Sequence, residues 1–221
     1  MIGRLLVLEG IDGCGKSTQL SCLANWLPSS GLMPAGSQLV LSREPGGTAL
    51  GLALRQLLLH PPGEESPEPL AELLLYAADR AQHVDQILRP ALERGDWILC
   101  DRFSGSTLAY QGYGRQLNHE LIIQLEKIAT AGLKPDLTLW LNLSVEQSLS
   151  RRKMRSQDRI EAEGLDFLVR VAEGFSALAR DRNWVDIEAD QPQETVSLAL
   201  QESLQHHLSQ SHSVGDGLND H

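Results

Sequence analysis

The sequence predicts an α/β fold of three layers, a five-stranded parallel sheet with helices on both faces, and three observations carry that expectation. Strand-like apolar runs recur at Arg4–Glu9, Gln38–Ser42, Trp97–Cys100, Leu137–Leu143 and Trp184–Ile187 with helical patterns between them, the alternation that builds a parallel sheet. Gly10–Thr18 (GIDGCGKST) matches the phosphate-loop pattern G-x-x-x-x-G-K-[ST] without a gap, between an apolar strand and a helical pattern. The second and third runs lead straight into charged clusters, Arg43-Glu44 and Asp101-Arg102, at the carboxyl edges where ligands of open α/β sheets gather.

Taken in order, Arg4–Glu9 is short and apolar enough for a buried strand, and Lys16–Leu27 carries apolar residues at helical spacing. Residues 28–37, broken by Pro28, Gly31, Pro34 and Gly36, form a loop to the second strand, and a helix over 48–59 follows. His60–Pro69 (HPPGEESPEP) is an exposed connection, because its prolines remove donors and fix the backbone. Leu70–Leu88 reads as a long helix, extended or kinked at Pro90, with Tyr76, Arg80 and His83 on one face. Asn118 is the expected N-cap of a helix over 119–131, and Ser144 with Gln147 has capping-box spacing after the fourth strand. The densely charged stretch 151–161 (RRKMRSQDRIE), followed by Gly164, interrupts the helical pattern and is expected to be a mobile lid spanning about 150–162. Helices over 165–182 and 193–208 complete one domain over 1–208, and the polar residues 209–221 are expected to be a disordered tail.

Composition narrows the function. At 221 residues the chain is long enough for a full core, and 42% hydrophobic with 22% charged residues is ordinary for a soluble protein. No apolar stretch approaches a membrane span, and the start, MIGRLLVLEG, lacks the pattern of a cleavable signal, so a cytoplasmic protein is expected. Cys14, Cys22 and Cys100, without metal-like spacing, fit reduced thiols. A net charge of −10 argues against a general nucleic-acid binder, which must neutralise many phosphates. Small phosphorylated ligands remain, and arginine, whose planar fork grips phosphate oxygens in pairs, dominates the basic residues.

The loop itself specifies a nucleoside triphosphate site. Gly10, Gly13 and Gly15 let successive N–H groups point inward, and the helix that follows adds the positive end of its dipole. Lys16 supplies a charge for the β- and γ-phosphates, and Ser17 offers a hydroxyl to magnesium. Asp101 is the candidate acid that holds the same ion, while Arg43, Arg102, Arg55 and Arg80 can converge on a second phosphate compound.

Gly10–Thr18, Arg43–Thr48 (REPGGT), Tyr76–Gln82 (YAADRAQ), Asp101–Phe103 (DRF), Ser106–Gly112 (STLAYQG), Pro135–Leu139 (PDLTL) and Asp158–Glu161 (DRIE) together closely resemble bacterial thymidylate kinase, a P-loop nucleoside monophosphate kinase. The likeness runs from residue 4 to about 205, and REPGGT and S-x-x-A-Y-Q-G are its specific parts. It implies transfer of the γ-phosphate of ATP to dTMP, giving dTDP, with Mg2+ as cofactor, in a homodimer whose interface the helices at 70–88 and 119–131 are candidates to form. The resemblance also assigns roles. Gly10, Ile11, Asp12, Gly13, Cys14, Gly15, Lys16, Ser17 and Thr18 would bind ATP, and Ser17 and Asp101 the metal. Arg43, Arg55 and Arg102 would clamp the acceptor phosphate, with Glu44 beside the transfer site. Tyr76, where the family usually has phenylalanine, would stack on the base, and Arg80 would hydrogen-bond it. Ser106 and Gln111 would lie near the polar edge of the base, Tyr110 under the deoxyribose, and Asp12 at the 3′-OH. Because the phosphate loop carries Cys14 and no arginine, the transition-state arginine must come from the lid, and Arg155 is favoured over Arg151 and Arg159. A kinase for another nucleoside monophosphate is the alternative enzyme, and a nucleotide-dependent switch the non-enzymatic one.

Overall fold

The computed structural model describes residues 3–63, 66–152, 159–160 and 163–213, and the side chains of 209–213 are not considered. Five parallel strands, β1 (Arg4–Glu9), β2 (Leu39–Arg43), β3 (Trp97–Asp101), β4 (Leu137–Asn142) and β5 (Val185–Glu188), form one sheet in the order β2-β3-β1-β4-β5. Each lies within a residue or so of its expected span. β1 is central, and Leu5, Leu6, Val7 and Leu8 are fully buried, as a strand covered on both faces requires. Alternation divides its side chains between two cores. Leu6 and Leu8 join Leu99, Leu139 and Leu141 on one face, while Leu5 and Val7 pack with Ile98, Cys100, Val84 and Leu88 on the other.

The helices are α1 (Lys16–Trp26), α2 (Ala49–Leu59), α3 (Pro69–His83), α4 (Arg89–Glu93), α5 (Ser104–Thr107), α6 (His119–Ala129), α7 (Val145–Arg152), α8 (Leu165–Asp181) and α9 (Gln193–Ser213). Asn118 caps α6 by accepting from the Leu121 N–H at 3.0 Å, and Ser144 accepts from the Gln147 N–H at 3.3 Å at the start of α7. The long helix expected over 70–88, extended or kinked at Pro90, runs on without a gap as α3, a π-helical stretch over Val84–Leu88, and α4. Pro90 explains the π-helical stretch: it has no N–H for an ordinary helical bond and its ring crowds the preceding turn, which the wider π turn relieves. Pro69, expected in the exposed connection, opens α3, where its fixed φ suits a first turn. Residues 104–114, to which the sequence assigned no element, are α5 followed by a second π-helical stretch over Leu108–Gly114. α9 runs to Ser213, past the expected end at 208, with Leu204 and Leu208 keeping its buried face against the core. The rest of the tail, 214–221, lies outside the described residues.

Register places the chemistry. Leu8 pairs with Asp101, and Asp101 with Arg43, so the carboxyl ends of β1, β3 and β2 finish in one row. The phosphate loop, Asp101-Arg102 and Arg43-Glu44 therefore open on the same edge.

Candidate active site

The loop between β1 and α1 turns through Gly10, Gly13 and Gly15 at φ of 142°, 81° and 98°. A side chain at Gly13 would also sit 3.0 Å from the Ser148 carbonyl of α7, so this turn and this close approach both require glycine. Ser148 fastens the loop from behind, its hydroxyl donating to the Asp12 carbonyl at 2.6 Å. Lys16 curls back, its Nζ donating to the carbonyls of Gly10 (2.9 Å) and Ile11 (3.1 Å). Asp12 through Gln19 border an open groove of about 1500 Å3 that also touches Arg43, Asp101, Arg151 and Arg152. Gly10 and Ile11 do not line it: Ile11 belongs to the core and Gly10 acts through its carbonyl.

A second, smaller cavity lies beside the first. Tyr76, Arg80, Ser106, Tyr110 and Gln111, the sequence-predicted base and sugar contacts, all line it, together with Leu59, Thr107 and Ile160. Asp12, Glu44, Arg55 and Arg102 line both spaces. They mark the seam between the two spaces. Arg43 faces only the larger groove.

Arg102 organises the seam. Its backbone is in the left-handed region at φ 70°, an uncommon state for a non-glycine residue, while its N–H donates to the Leu8 carbonyl at 2.9 Å. The reversal turns its guanidinium back over the loop, where it donates to Gly10 O (2.9 Å), Ser106 Oγ (2.8 Å), Asp12 Oδ1 (2.6 Å) and Tyr110 Oη (3.3 Å). Tyr110 Oη in turn donates to Asp12 Oδ2 at 2.7 Å. Burial alone would raise the Asp12 carboxyl, but the charges of Arg102 and Lys16 and the bonds from Tyr110 and Arg102 hold it well below the usual carboxylate range. Asp12 is therefore a fixed acceptor at the mouth of both spaces.

A buried set of charges beneath the cavity was not legible in the sequence. Arg80 is 2% exposed; its Nε donates to Glu44 Oε2 at 2.7 Å, Nη1 to Thr107 Oγ1 at 2.8 Å and to Glu126, and Nη2 to the Phe103 carbonyl at 3.2 Å. Four of its five N–H groups are thus used among the described residues, so Arg80 first ties α3, α6 and the β2 and β3 termini together, and one donor is left for the cavity it lines. His83 holds Glu44 from the other side, Nδ1 lying 2.8 Å from Glu44 Oε1 and Nε2 2.5 Å from Ser42 Oγ. Glu9, at the end of β1, accepts from the N–H groups of Phe103 (3.0 Å) and Ser106 (3.1 Å) and from the Ser106 hydroxyl (2.6 Å). Burial pushes the Glu9 carboxyl up, while Arg102 draws it down in part.

Asp79 belongs to the same layer. Its Oδ1 accepts from the Gly46 N–H at 3.0 Å, Oδ2 has no partner among the described residues, and burial followed by the Glu44 charge pushes its pKa up to about 6. A folded-state value raised above the ordinary 3.8 contributes stability that is complete below about pH 4 and lost as pH rises through about 6, about 3 kcal/mol in all. Asp79→Asn keeps an acceptor for Gly46 and removes the titration. Urea unfolding at pH 4.5 and pH 7 should show the variant gaining about 2 kcal/mol relative to wild type between the two; parallel curves would refute the assignment.

The lid is only partly within view, and the favoured Arg155 lies outside the described residues. Arg151 borders the larger groove, its Nη2 donating to the Ala189 carbonyl at 2.9 Å. Arg159 faces away, bonded to the Leu58 carbonyl (2.9 Å) and to Glu72, and lines neither space. Arg152, which the sequence reading passed over, is buried against Gly13 and lines the groove. Asp101 also reaches the groove, and its Oδ1 is buried without a hydrogen-bond partner among the described residues. An orphaned carboxylate oxygen at a groove that Ser17 also lines is what a hydrated magnesium ion, which takes few protein ligands, would use.

Comparison with known proteins agrees with this geometry. The model of the family described as Thymidylate kinase matches residues 8–199. Thymidylate kinase of Prochlorococcus marinus (strain MIT 9303) is 74% identical over 208 residues, covering 94% of this chain and 96% of that protein. That of Synechococcus sp. (strain CC9311) is 66% identical over 92% of this chain and 96% of its own length. The crystal structure of thymidylate kinase from Ehrlichia chaffeensis superposes with a TM-score of 0.73 at 31% identity, covering 93% of this chain and all of that one. A phosphate loop, a second cavity sharing its mouth, and relatives this similar over nearly the whole length place the chain in the thymidylate kinase family.

Proposed function

We propose that this protein transfers the γ-phosphate of ATP to the 5′-phosphate of dTMP, giving dTDP and ADP. The observation that carries the reading is the shared mouth: Asp12, Glu44, Arg55 and Arg102 border both the loop groove and the smaller cavity, so a donor in one and a monophosphate in the other meet there. The acceptor monoester, with a second pKa of about 6, is already a dianion near neutral pH and needs no strong general base. The work left to the protein is positioning and charge neutralisation. The loop N–H groups and the start of α1 hold the donor phosphates, and Lys16 Nζ exchanges its carbonyl partners for them as ATP binds, so it is in place before charge develops on the transferred group. Arg102, with Arg55 and Arg43, holds the acceptor phosphate in line, while Asp12 and Tyr110 limit the sugar side. Ser17 and Asp101 would hold Mg2+, which supplies charge neutralisation of the β- and γ-phosphates.

The test is ADP release with ATP and dTMP, dUMP, dCMP, dGMP or AMP. Turnover with dTMP above the other monophosphates is expected, and an inert dTMP would reject the substrate assignment. Since Arg159 is bonded to Glu72 and Leu58, the lid arginine for the transition state is Arg155, or Arg151 at the groove. Arg155→Ala should lower kcat about 10²-fold with less change in KM for ATP, and an equal loss in Arg151→Ala alone would move the role there.

Two coarser properties go with this reading. Leu52 and Leu57 on α2, Leu74 on α3 and Ile123 and Ile128 on α6 are exposed apolar residues on helices that pack in series, which supports a homodimer through that face. A solution mass near twice 24.3 kDa by light scattering is the check. Among the described residues no helix is long and apolar enough to cross a membrane, and free Cys14, Cys22 and Cys100 support work in the cytoplasm.

A further inference from the structure

Glu72 stands behind the wall of the smaller cavity and is fully buried, yet the reaction gives it no task. Its Oε1 accepts from Gln111 Nε2 at 2.9 Å and from Arg115 Nε at 3.2 Å; its Oε2 accepts from Arg115 Nη2 at 3.1 Å and from Arg159. Two guanidinium groups on one buried carboxylate keep it ionised. Burial would raise its pKa, but the bonds from Arg115, Gln111 and Arg159 lower it on balance. An ionised carboxylate accepts only, so the Gln111 amide has one orientation: nitrogen toward Glu72 and oxygen away from it. Gln111 Oε1 makes no hydrogen bond among the described residues, and the residue lines the cavity. The wall therefore presents a fixed acceptor there. Arg80, lining the same cavity, brings its remaining N–H as a donor.

We propose that Glu72 is a specificity-determining positioning residue, which locks the Gln111 carbonyl into the cavity so that the site takes a pyrimidine with a ring N–H beside a carbonyl and refuses one with a ring lone pair beside an amino group. The inference rests on reading this cavity as the acceptor site. Thymine and uracil satisfy an acceptor and an adjacent donor together. Cytosine opposes both, its ring lone pair against Gln111 Oε1 and its amino group against Arg80, and buried mismatches of this kind are what give hydrogen-bonding sites their largest discrimination. A neutral partner would lose the lock, because an amide at position 72 can donate as well as accept and lets Gln111 turn over.

The experiment is the ratio of kcat/KM for dTMP to that for dCMP in wild type and Glu72→Gln, with dUMP as a ring N–H control. The ratio is expected to fall about tenfold or more in the variant, through KM rather than kcat, and dUMP to follow dTMP. A uniform loss on all three nucleotides, the result of a purely structural role, would overturn the proposal. Gln111→Met removes the acceptor while leaving the bonds of Glu72 to Arg115 and Arg159 in place, so it keeps the test decisive if Glu72→Gln does not fold. It should lower the same ratio, and an unchanged ratio overturns the role of Gln111 and with it that of Glu72. Wild-type protein inert toward dTMP overturns the functional reading itself; active protein with an unmoved ratio overturns only the lock.

Discussion

Lys16→Ala is expected to lower kcat about 10³-fold with ATP and dTMP while leaving the thermal midpoint within a few degrees of wild type. Lys16 Nζ is held by the Gly10 and Ile11 carbonyls at 2.9 and 3.1 Å, at the head of the helix whose N–H groups face the donor. A positive charge placed there before reaction needs no reorganisation when negative charge moves onto the equatorial oxygens, and in a partly desolvated site that is worth several kcal/mol. The structural cost of removing it is small by comparison. Gly10 O keeps Arg102 Nη1 at 2.9 Å, and the loop borders an open groove that water can enter. The loss should therefore fall on kcat, with KM for ATP moving less. Turnover within tenfold of wild type would remove the loop lysine from the mechanism.

What the sequence made legible is what depends on local geometry. The phosphate loop can be read because its turn needs glycine at positive φ and its ligands need Lys16 and Ser17 at fixed offsets. The strands can be read because a strand buried on both faces is a continuous apolar run. Their order cannot, since nothing local says that β1 pairs with both β3 and β4. Nor can the buried acids. Glu9, Glu72 and Glu126 look like ordinary solvated residues until Phe103, Arg115 and Arg80, from 43 to 94 positions away, supply their partners. The face Tyr76–Arg80–His83 was placed correctly by helical spacing, yet whether Arg80 meets a ligand or an internal carboxylate is decided by Glu44 and Glu126, on other elements. Residues 104–114 were missed for a different reason. Ser and Gly are poor helix formers, and the stretch is helical because α8 packs on it so closely that a Cβ at Gly114 would lie 2.6 Å from the Phe167 ring.

Arg102→Lys keeps the charge at the seam and should still lower kcat/KM for dTMP about 10³-fold, about 4 kcal/mol. The guanidinium reaches Gly10 O, Ser106 Oγ, Asp12 Oδ1 and Tyr110 Oη at once, and lies 5.1 Å over the Tyr110 ring. An ammonium has three donors on a flexible stem, and it matches neither the planar spread of those partners nor two oxygens of an acceptor phosphate. With the fork gone, Asp12 and Tyr110 Oη keep only each other, and the Asp12 carboxyl should move back toward its usual range. The loss is then one of alignment, so both kcat and KM for dTMP should suffer, whereas KM for ATP should change little. A double-mutant cycle separates this from simple removal of charge. If Arg102 works partly by holding Asp12, Asp12→Asn should cost much less in the Arg102→Lys background than in wild type. Additive losses would mean that Arg102 acts on the acceptor phosphate alone and that its bond of 2.6 Å to Asp12 only shapes the mouth.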